Sequence, residues 1–522
     1  MKRNAKRLSA LLLTLSLAMS LLVLGAQAAE LPEIPVEPVK PGKVTDLTVT
    51  HKTEDATKIT LAWKAAEHAA SYQVERSADG GSSWKQWTST EKLTCADSKA
   101  KAGKTYRYRV SAVSGDGTVG AAVKSKKVAV HLKPVTDLTV TTDSSTRLKL
   151  TWTASAGAGS YQVYQADGAG KGSEQIAATE KTGYTVTGLS ANTEYTFRIV
   201  AGVDGSDKTY QSDYSAAVAG RTGMKAPSSL KCTPSRHTVK VSWKKVAGAK
   251  TYEVYRREKK GSYKRITTTK SVKYTDKKVK DNKTYYYRVR ARASDTGGDL
   301  YGDYCKEKKV QVLPLSGYVV CVDAGHGNNK SLGTVYLAPS SKKRVSGGSW
   351  GTSGVATGVS EATLTLKVAK RLRTALEDQG AKVVMTRTKR VCNLNNVQRC
   401  QIATKGKAEL TIRLHADGVD SSSVKGVSMQ LPGSTYCSKS IVKKSASAGN
   451  AIYKAVLKTT GAKGRGQVKR NDLVGFNWSK NPTVLLEMGF MSNPSEDRLL
   501  QTTGYQKKIV KGIVNGTVSY FK

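Results

Sequence analysis

Two textures of hydrophobic and polar positions follow one another along the chain. Up to about residue 313, apolar residues alternate with polar ones, as in Lys58-Ile59-Thr60-Leu61-Ala62-Trp63 and Tyr72-Gln73-Val74-Glu75. Period two with β-branched and aromatic residues predicts half-buried strands. Turn clusters such as Asp79-Gly80-Gly81 and Gly168-Ala169-Gly170 separate these runs. The pattern also repeats. Val44-Thr45-Asp46-Leu47-Thr48-Val49 returns at Val135 to Val140, and Trp63, Trp152 and Trp243 stand 89 and 91 residues apart. A tyrosine follows nine residues after each (Tyr72, Tyr161, Tyr252), then an aromatic pair (Tyr106 and Tyr108, Tyr195 and Phe197, Tyr285 and Tyr287). Units of this length with about seven short strands predict β-sandwiches, with the Trp and Tyr rings filling the interiors.

After Leu313, strand-like runs alternate with helical periods. Tyr318–Val322, Val383–Met385, Leu410–Leu414 and Thr483–Leu486 read as strands. Glu361–Gln379 reads as a helix, with Leu364, Val368, Leu372, Ala375 and Leu376 on one face, Ser360 as N-cap and Gly380 as C-cap. Leu394–Thr404, Ser440–Thr460 and Tyr505–Phe521 read as further helices. The alternation predicts an α/β domain with a largely parallel sheet flanked by helices.

Composition adds an address. The 522 residues carry 85 Lys and Arg against 40 Asp and Glu, a formal +45 that draws the chain to a polyanion. Lys2, Arg3, Lys6 and Arg7 precede an apolar run from Leu8 to Leu24, and Ala26-Gln27-Ala28 follows, which is the form of a cleaved signal peptide over 1–28. Export favours the cell envelope over nucleic acid as the anionic partner. No stretch of the mature chain reaches the about 20 apolar residues of a membrane span. Prolines at 32, 35, 38 and 41 predict a stiff linker over 29–42. The seven cysteines leave at least one unpaired, and Cys232 with Cys305 or Cys392 with Cys400 are possible disulfides. Nothing in the residues sets an oligomeric state, and a monomer is the default.

The last domain contains two of the six histidines, each directly after a strand: His326 in Val322-Asp323-Ala324-Gly325-His326-Gly327 and His415 in Leu414-His415-Ala416-Asp417. Glu361 opens the long helix, and Glu487 ends the apolar strand Val484-Leu485-Leu486-Glu487. Taken singly, a strand-end histidine is a polar cap, and a glutamate in a first helical turn is favoured by the helix dipole alone. Glu487 is harder to explain so, because a carboxylate after an apolar strand is part-buried and costly unless partnered. Ligands of open α/β sheets gather at the carboxyl ends of strands, so the four can converge. Two imidazoles and a carboxylate with one position open make a catalytic zinc site, where bound water reaches a pKa near 7. A second carboxylate is then needed to move the proton.

Both textures resemble known families. The three units, 43–132, 133–223 and 224–314, resemble fibronectin type III domains in their core Trp and Tyr. The segment 316–522 resembles the zinc-dependent N-acetylmuramoyl-L-alanine amidase catalytic domain. The family's Asp-Pro-Gly-His-Gly appears as Asp323-Ala324-Gly325-His326-Gly327, its helix glutamate as Glu361, its Ile-His-Ala-Asn as Leu414-His415-Ala416-Asp417, and its Leu-Glu-x-Gly-Phe-x-x-Asn as Leu486 to Asn493. The resemblance implies one Zn2+ per chain on His326, Glu361 and His415, with Glu487 as catalytic acid/base. Ala324 and Asp417 depart from the pattern, and Asp417 adds a negative charge near the metal. Arg387 and Arg399 match family positions and read as structural ion-pair residues. The Gly- and Ser-rich stretch 328–358 reads either as a rim or lid over the site or as a mobile surface loop.

The implied activity is that of a secreted or wall-associated peptidoglycan hydrolase. It would cleave the amide between N-acetylmuramic acid and L-alanine, with peptidoglycan and anionic wall polymers as partners. Two alternatives stay open: a zinc peptidase acting within the stem peptide, and a non-catalytic wall-binding adhesin.

Overall fold

The computed structural model describes residues 37–52, 57–167, 172–205, 209–295 and 298–522. The signal-peptide segment, most of the proline-rich linker and the Gly168–Gly170 turn lie outside them. The chain divides into two compact units. One takes residues up to Val135 with Ala154–Tyr161 and Val200–Tyr214; the other takes Thr136–Thr153, Gln162–Ile199 and Ser215–Lys522.

The first unit contains a complete antiparallel sandwich. Thr45–His51, Ile59–Lys64 and Thr94–Asp97 form one sheet, and Lys85–Thr90, Ser71–Ser77 and Thr105–Val113 with two short strands form the other. In the second unit, Lys231–Ser235, Thr238–Ser242 and Lys273–Asp276 face a five-stranded sheet built around Thr251–Glu258 and Lys283–Asp295. The aromatic repeat is core. Trp63, Trp152 and Trp243 are buried, and Trp63–Tyr72 and Trp243–Tyr252 each meet edge-on at 5.4 Å. The hydroxyls of Tyr72, Tyr161 and Tyr252 accept backbone N–H groups six residues upstream, from Ala66, Ser155 and Val246. A buried tyrosine must satisfy its hydroxyl, so each repeat pins its turn by the same bond.

The last domain is a six-stranded sheet between helical layers. In chain order its elements are β1 (Val319–Ala324), α1 (Glu361–Asp378), β2 (Lys382–Met385), α2 (Asn396–Lys405), β3 (Leu410–Asp417), β4 (Val427–Pro432), α3 (Lys439–Thr460), β5 (Gly464–Arg470), α4 (Val474–Asn477), β6 (Thr483–Phe490), α5 (Pro494–Gln501) and α6 (Thr503–Phe521). The strand order is β2-β1-β3-β6-β4-β5. The β2–β1–β3–β6 run is parallel, β4 lies antiparallel to β6, and β5 runs parallel to β4. Every residue of β6 is buried, as a central strand covered on both faces requires. Leu364, Val368, Leu372 and Leu376 of α1 pack on β1 and β3, and Ile452, Val456, Ile509 and Ile513 of α3 and α6 join the same core.

Some local expectations change. Ser360 stands at the N-cap of α1 but makes no capping bond; its hydroxyl pairs with that of Thr363. Gly380 ends α1 at φ +90°, the left-handed turn that favours glycine. All seven cysteines are free thiols, including both pairs considered for disulfides. No helix among the described residues is long and apolar enough to cross a membrane.

Candidate active site

The site forms where β1, β3 and β6 end. After β1 the chain turns through His326 at φ +59°, a left-handed conformation uncommon outside glycine. The turn is held from below. Arg399 donates to the carbonyls of Ala324 at 2.8 Å and His326 at 2.6 Å. Arg387 donates to those of Ala324, Gly325 and Ala362 at 2.7–2.9 Å. Asp323 beneath them binds the Thr386 hydroxyl, Arg399 and Arg413. Burial alone would raise the Asp323 pKa, but Arg399 and Arg413 outweigh it and hold the carboxyl well below the usual range. Arg399 is thus the ion-pair residue its position suggested. Arg387 instead binds carbonyl oxygens, and burial together with the neighbouring Arg399 lowers its pKa to about 10.

The imidazoles and the helix glutamate meet. His326 Nε2 lies 3.0 Å from Glu361 Oε2 and 3.0 Å from His415 Nδ1, which is 3.1 Å from Glu361 Oε1. The three sets of ligand atoms lie within 4.8 Å of one another. Glu361 is also fixed by the N–H groups of Ala416 and Thr352, donated to its two oxygens. The other ring nitrogen of His326, Nδ1, faces the Ser349 carbonyl at 3.0 Å, so a proton held there leaves the Nε2 lone pair for the cluster. Burial lowers the His415 pKa despite its bond to Glu361, favouring the neutral imidazole a metal requires. Two nitrogen lone pairs aimed at one carboxylate make a donor set that suits a divalent cation.

Glu487 ends up beside this cluster because β3 and β6 pair in parallel with His415 opposite Glu487. Its side chain is 7% exposed. One oxygen accepts from Gln430 Nε2 at 3.3 Å, and the other is buried without a partner. Burial first, then the charges of Glu361 and Asp417, raise its pKa well above the carboxylate range, while Arg470 pulls the other way. Asp417, at the end of β3, lines the same cleft; burial raises its pKa too.

The cleft measures about 530 Å3 and is bounded by His326, Trp350, Asp417, Gln430, Arg470 and Glu487. The stretch 328–358 contributes Ser349 to Thr352 to one side, and its other residues pack on the domain. They carry a two-stranded ribbon, Thr334–Tyr336 with Arg344–Ser346, and are tied to the domain at several points. Trp478 Nε1 bonds the Tyr336 carbonyl, and Ala356 and Thr357 N–H groups bond Asp497. Gly351, at φ +82°, passes so close that a Cβ there would lie 2.8 Å from His326 Cγ and 2.9 Å from Glu361 Oε2. Gly325 is as tight, with His415 Cε1 2.6 Å from a Cβ. A groove of similar size between α1 and α6, about 560 Å3, holds none of the site residues.

All four residues read from sequence as ligands or acid/base therefore come together. Gln430, Arg470, Trp350 and Arg413 were not anticipated. The alternation in Val427-Ser428-Met429-Gln430-Leu431 was a legible strand signal; the charged, exposed edge strand carrying Arg470 gave none.

Comparison with known proteins identifies families along the chain. Residues 320–518 match the N-acetylmuramoyl-L-alanine amidase family, 133–217 the fibronectin type III domain, and 45–122 the PBP1-like, fibronectin3-like domain. The N-acetylmuramoyl-L-alanine amidase LytC of Bacillus subtilis is 28% identical over 209 residues, 40% of this chain, but the match spans only 36% of that protein. The probable cell wall amidase LytH of Staphylococcus epidermidis is 27% identical over 273 residues, 51% of this chain and 77% of its own length. The germination-specific N-acetylmuramoyl-L-alanine amidase of Bacillus subtilis is 29% identical over 229 residues, 40% of this chain and 82% of its own length. The C-terminal part of the chain is thus a domain of the N-acetylmuramoyl-L-alanine amidase family, carried behind fibronectin type III-like domains.

Proposed function

We propose that the chain is an exported peptidoglycan amidase that cleaves the bond between N-acetylmuramic acid and L-alanine with one zinc ion. The observation that carries this reading is the convergence of His326, Glu361 and His415 ligand atoms within 4.8 Å, with Glu487 in register beside His415. His326, Glu361 and His415 would hold the ion. Bound there, zinc would polarise the scissile carbonyl and lower the pKa of water to near 7.

The rest falls to the chain's own groups. Glu487 takes the proton of the attacking water at Oε2, the oxygen left unpartnered, and returns it to the departing alanine nitrogen. Burial and the nearby carboxylates Glu361 and Asp417 raise its pKa, which favours holding the proton it takes. Gln430 orients Oε1, and Arg470 orients Gln430 through a 3.2 Å bond to its carbonyl oxygen. Gly351 and Ser349 pack against His326, and the larger cleft opens on the Trp350 and Asp417 side. The domain limits at 43, 133, 224 and 316, export through residues 1–28 and retention at the wall belong to the same proposal.

The test is digestion of purified peptidoglycan with the full chain, followed by mass spectrometry. New N-terminal L-alanine on stem peptides supports the amidase; internal cuts in intact muramoyl peptides support the peptidase alternative; no soluble product supports the adhesin. Glu487→Gln should retain zinc and lose about 10²–10⁴-fold in kcat, whereas His326→Ala should lose the metal. Normal hydrolysis by the Gln variant would overturn the assignment of Glu487.

A further inference from the structure

The three sandwich repeats share a framework but not a charge. Residues 133–223 carry 8 Lys and Arg against 9 Asp and Glu, residues 43–132 carry 15 against 9, and residues 224–314 carry 25 against 8. A sandwich core needs no such excess, and like charges at this density repel one another. The excess in the third repeat calls for a partner.

One face of that repeat is built to meet it. On the outward side of its five-stranded sheet, Tyr255 lies opposite Arg288 and Arg265, Arg257 opposite Tyr286, and Arg292 opposite Tyr301. The guanidinium groups lie over the rings. Arg288 sits 3.7 Å from the Tyr304 centroid and 4.0 Å from that of Tyr263, while Arg290 is 4.0 Å from Tyr301 and Arg257 4.0 Å from Tyr286. Four of these arginines have a carboxylate partner: Arg265 and Arg290 share buried Glu253, Arg257 pairs with Glu307, and Arg292 with Asp299. Among the described residues Arg288 has no carboxylate within ion-pair distance, and its Nε is buried without an acceptor. Lys309, opposite Tyr286 on the same face, is exposed, and Lys259 and Lys260 are exposed in the adjoining turn.

We propose that this face of the third sandwich binds a linear phosphodiester polymer of the cell wall. Stacking between two tyrosines fixes the plane of Arg288 and leaves its terminal N–H groups to a phosphate, which accepts from a guanidinium fork in two parallel bonds. The surrounding lysines add charge-driven contacts along the chain of phosphates, each releasing a counterion. Single-stranded nucleic acid is a poorer fit, because its bases need bare aromatic faces to stack on and here guanidinium groups cover them. An uncharged glycan would leave the cations unanswered. The cell-wall address rests on the export proposed above, but the binding concerns a different domain and is measured apart from hydrolysis.

The test uses the full chain and poly(glycerol phosphate) as probe, titrated at several salt concentrations. Arg288→Gln with Lys309→Gln should weaken binding about tenfold and flatten the salt dependence, while Lys240→Gln with Lys273→Gln, removing equal charge from the opposite sheet, should change it less than about twofold. Thermal melts of both variants check that each remains folded. Equal losses in the two variants would reduce the effect to net charge and overturn the proposal. So would wild-type binding to a DNA oligonucleotide of equal charge as tight as to the polymer, or no binding to the polymer at all.

Discussion

Asp323→Asn tests whether the buried charge cluster, rather than the ligands themselves, sets the site's geometry. Asp323 is 2% exposed on β1, and its oxygens serve Thr386 at 2.5 Å, Arg399 at 2.8 Å and Arg413 at 3.0 Å. Asparagine keeps the shape and removes the charge, so two buried guanidinium groups lose their counterion. Breaking a buried pair from one side costs about 3–5 kcal/mol. A domain has about 5–15 kcal/mol in all, so the substitution removes a large fraction of it. Arg399 also holds the His326 carbonyl, so the left-handed turn carrying that ligand loosens with it.

The pH dependence has a definite sign. The Asp323 pKa is depressed in the folded state, so its contribution is complete above the unfolded value, near 3.9, and is lost as pH falls through the folded one. The stability gap between wild type and Asn variant should stay constant through neutral pH and narrow only in strong acid. Calorimetry of the full chain measures it, with the last domain's transition recognised by its shift on adding zinc. A variant that melts with wild type at pH 7 and holds as much metal would refute the reasoning.

Gly351→Ala forces a Cβ against His326 and Glu361 at φ +82°, so zinc affinity measured by chelator competition should fall about 10–100-fold. Trp350, 58% exposed on the cleft rim, has no core to serve. Trp350→Ala should raise KM for wall digestion while kcat and zinc content hold; a loss of metal instead would show a structural role. Tyr252→Phe removes the acceptor of the Val246 N–H, a 2.9 Å buried bond, and should lower the third sandwich's stability by about 1–3 kcal/mol in urea melts without affecting hydrolysis.

Much of this molecule was legible without coordinates. The core rings of the sandwiches follow from period-two alternation and a repeat near ninety residues, because burial is encoded locally in the side-chain period. His326, His415 and Glu487 could be proposed because polar residues that follow apolar runs lie toward a sheet's carboxyl edge, although His415 and Glu487 proved to lie within the paired ends of β3 and β6 and not beyond them. What chain order could not convey was lateral placement. Gln430 reaches Glu487 only because β4 inserts antiparallel beside β6, and Arg470 reaches Gln430 only because β5 then pairs with β4. The β5 residues are exposed and charged, so no hydrophobic period announces them. The stretch 328–358 reads from sequence as a rim or lid or as a mobile surface loop, and its bonds to Trp478 and Asp497 were not legible there, since those partners lie more than a hundred residues away. Arg387 likewise could be placed near the site but not assigned to carbonyls rather than a carboxylate. Periodicity reports which side of an element is buried. Strand pairing across the sheet decides which buried groups touch, and it is there that Glu487 acquires its neighbours Gln430 and His415.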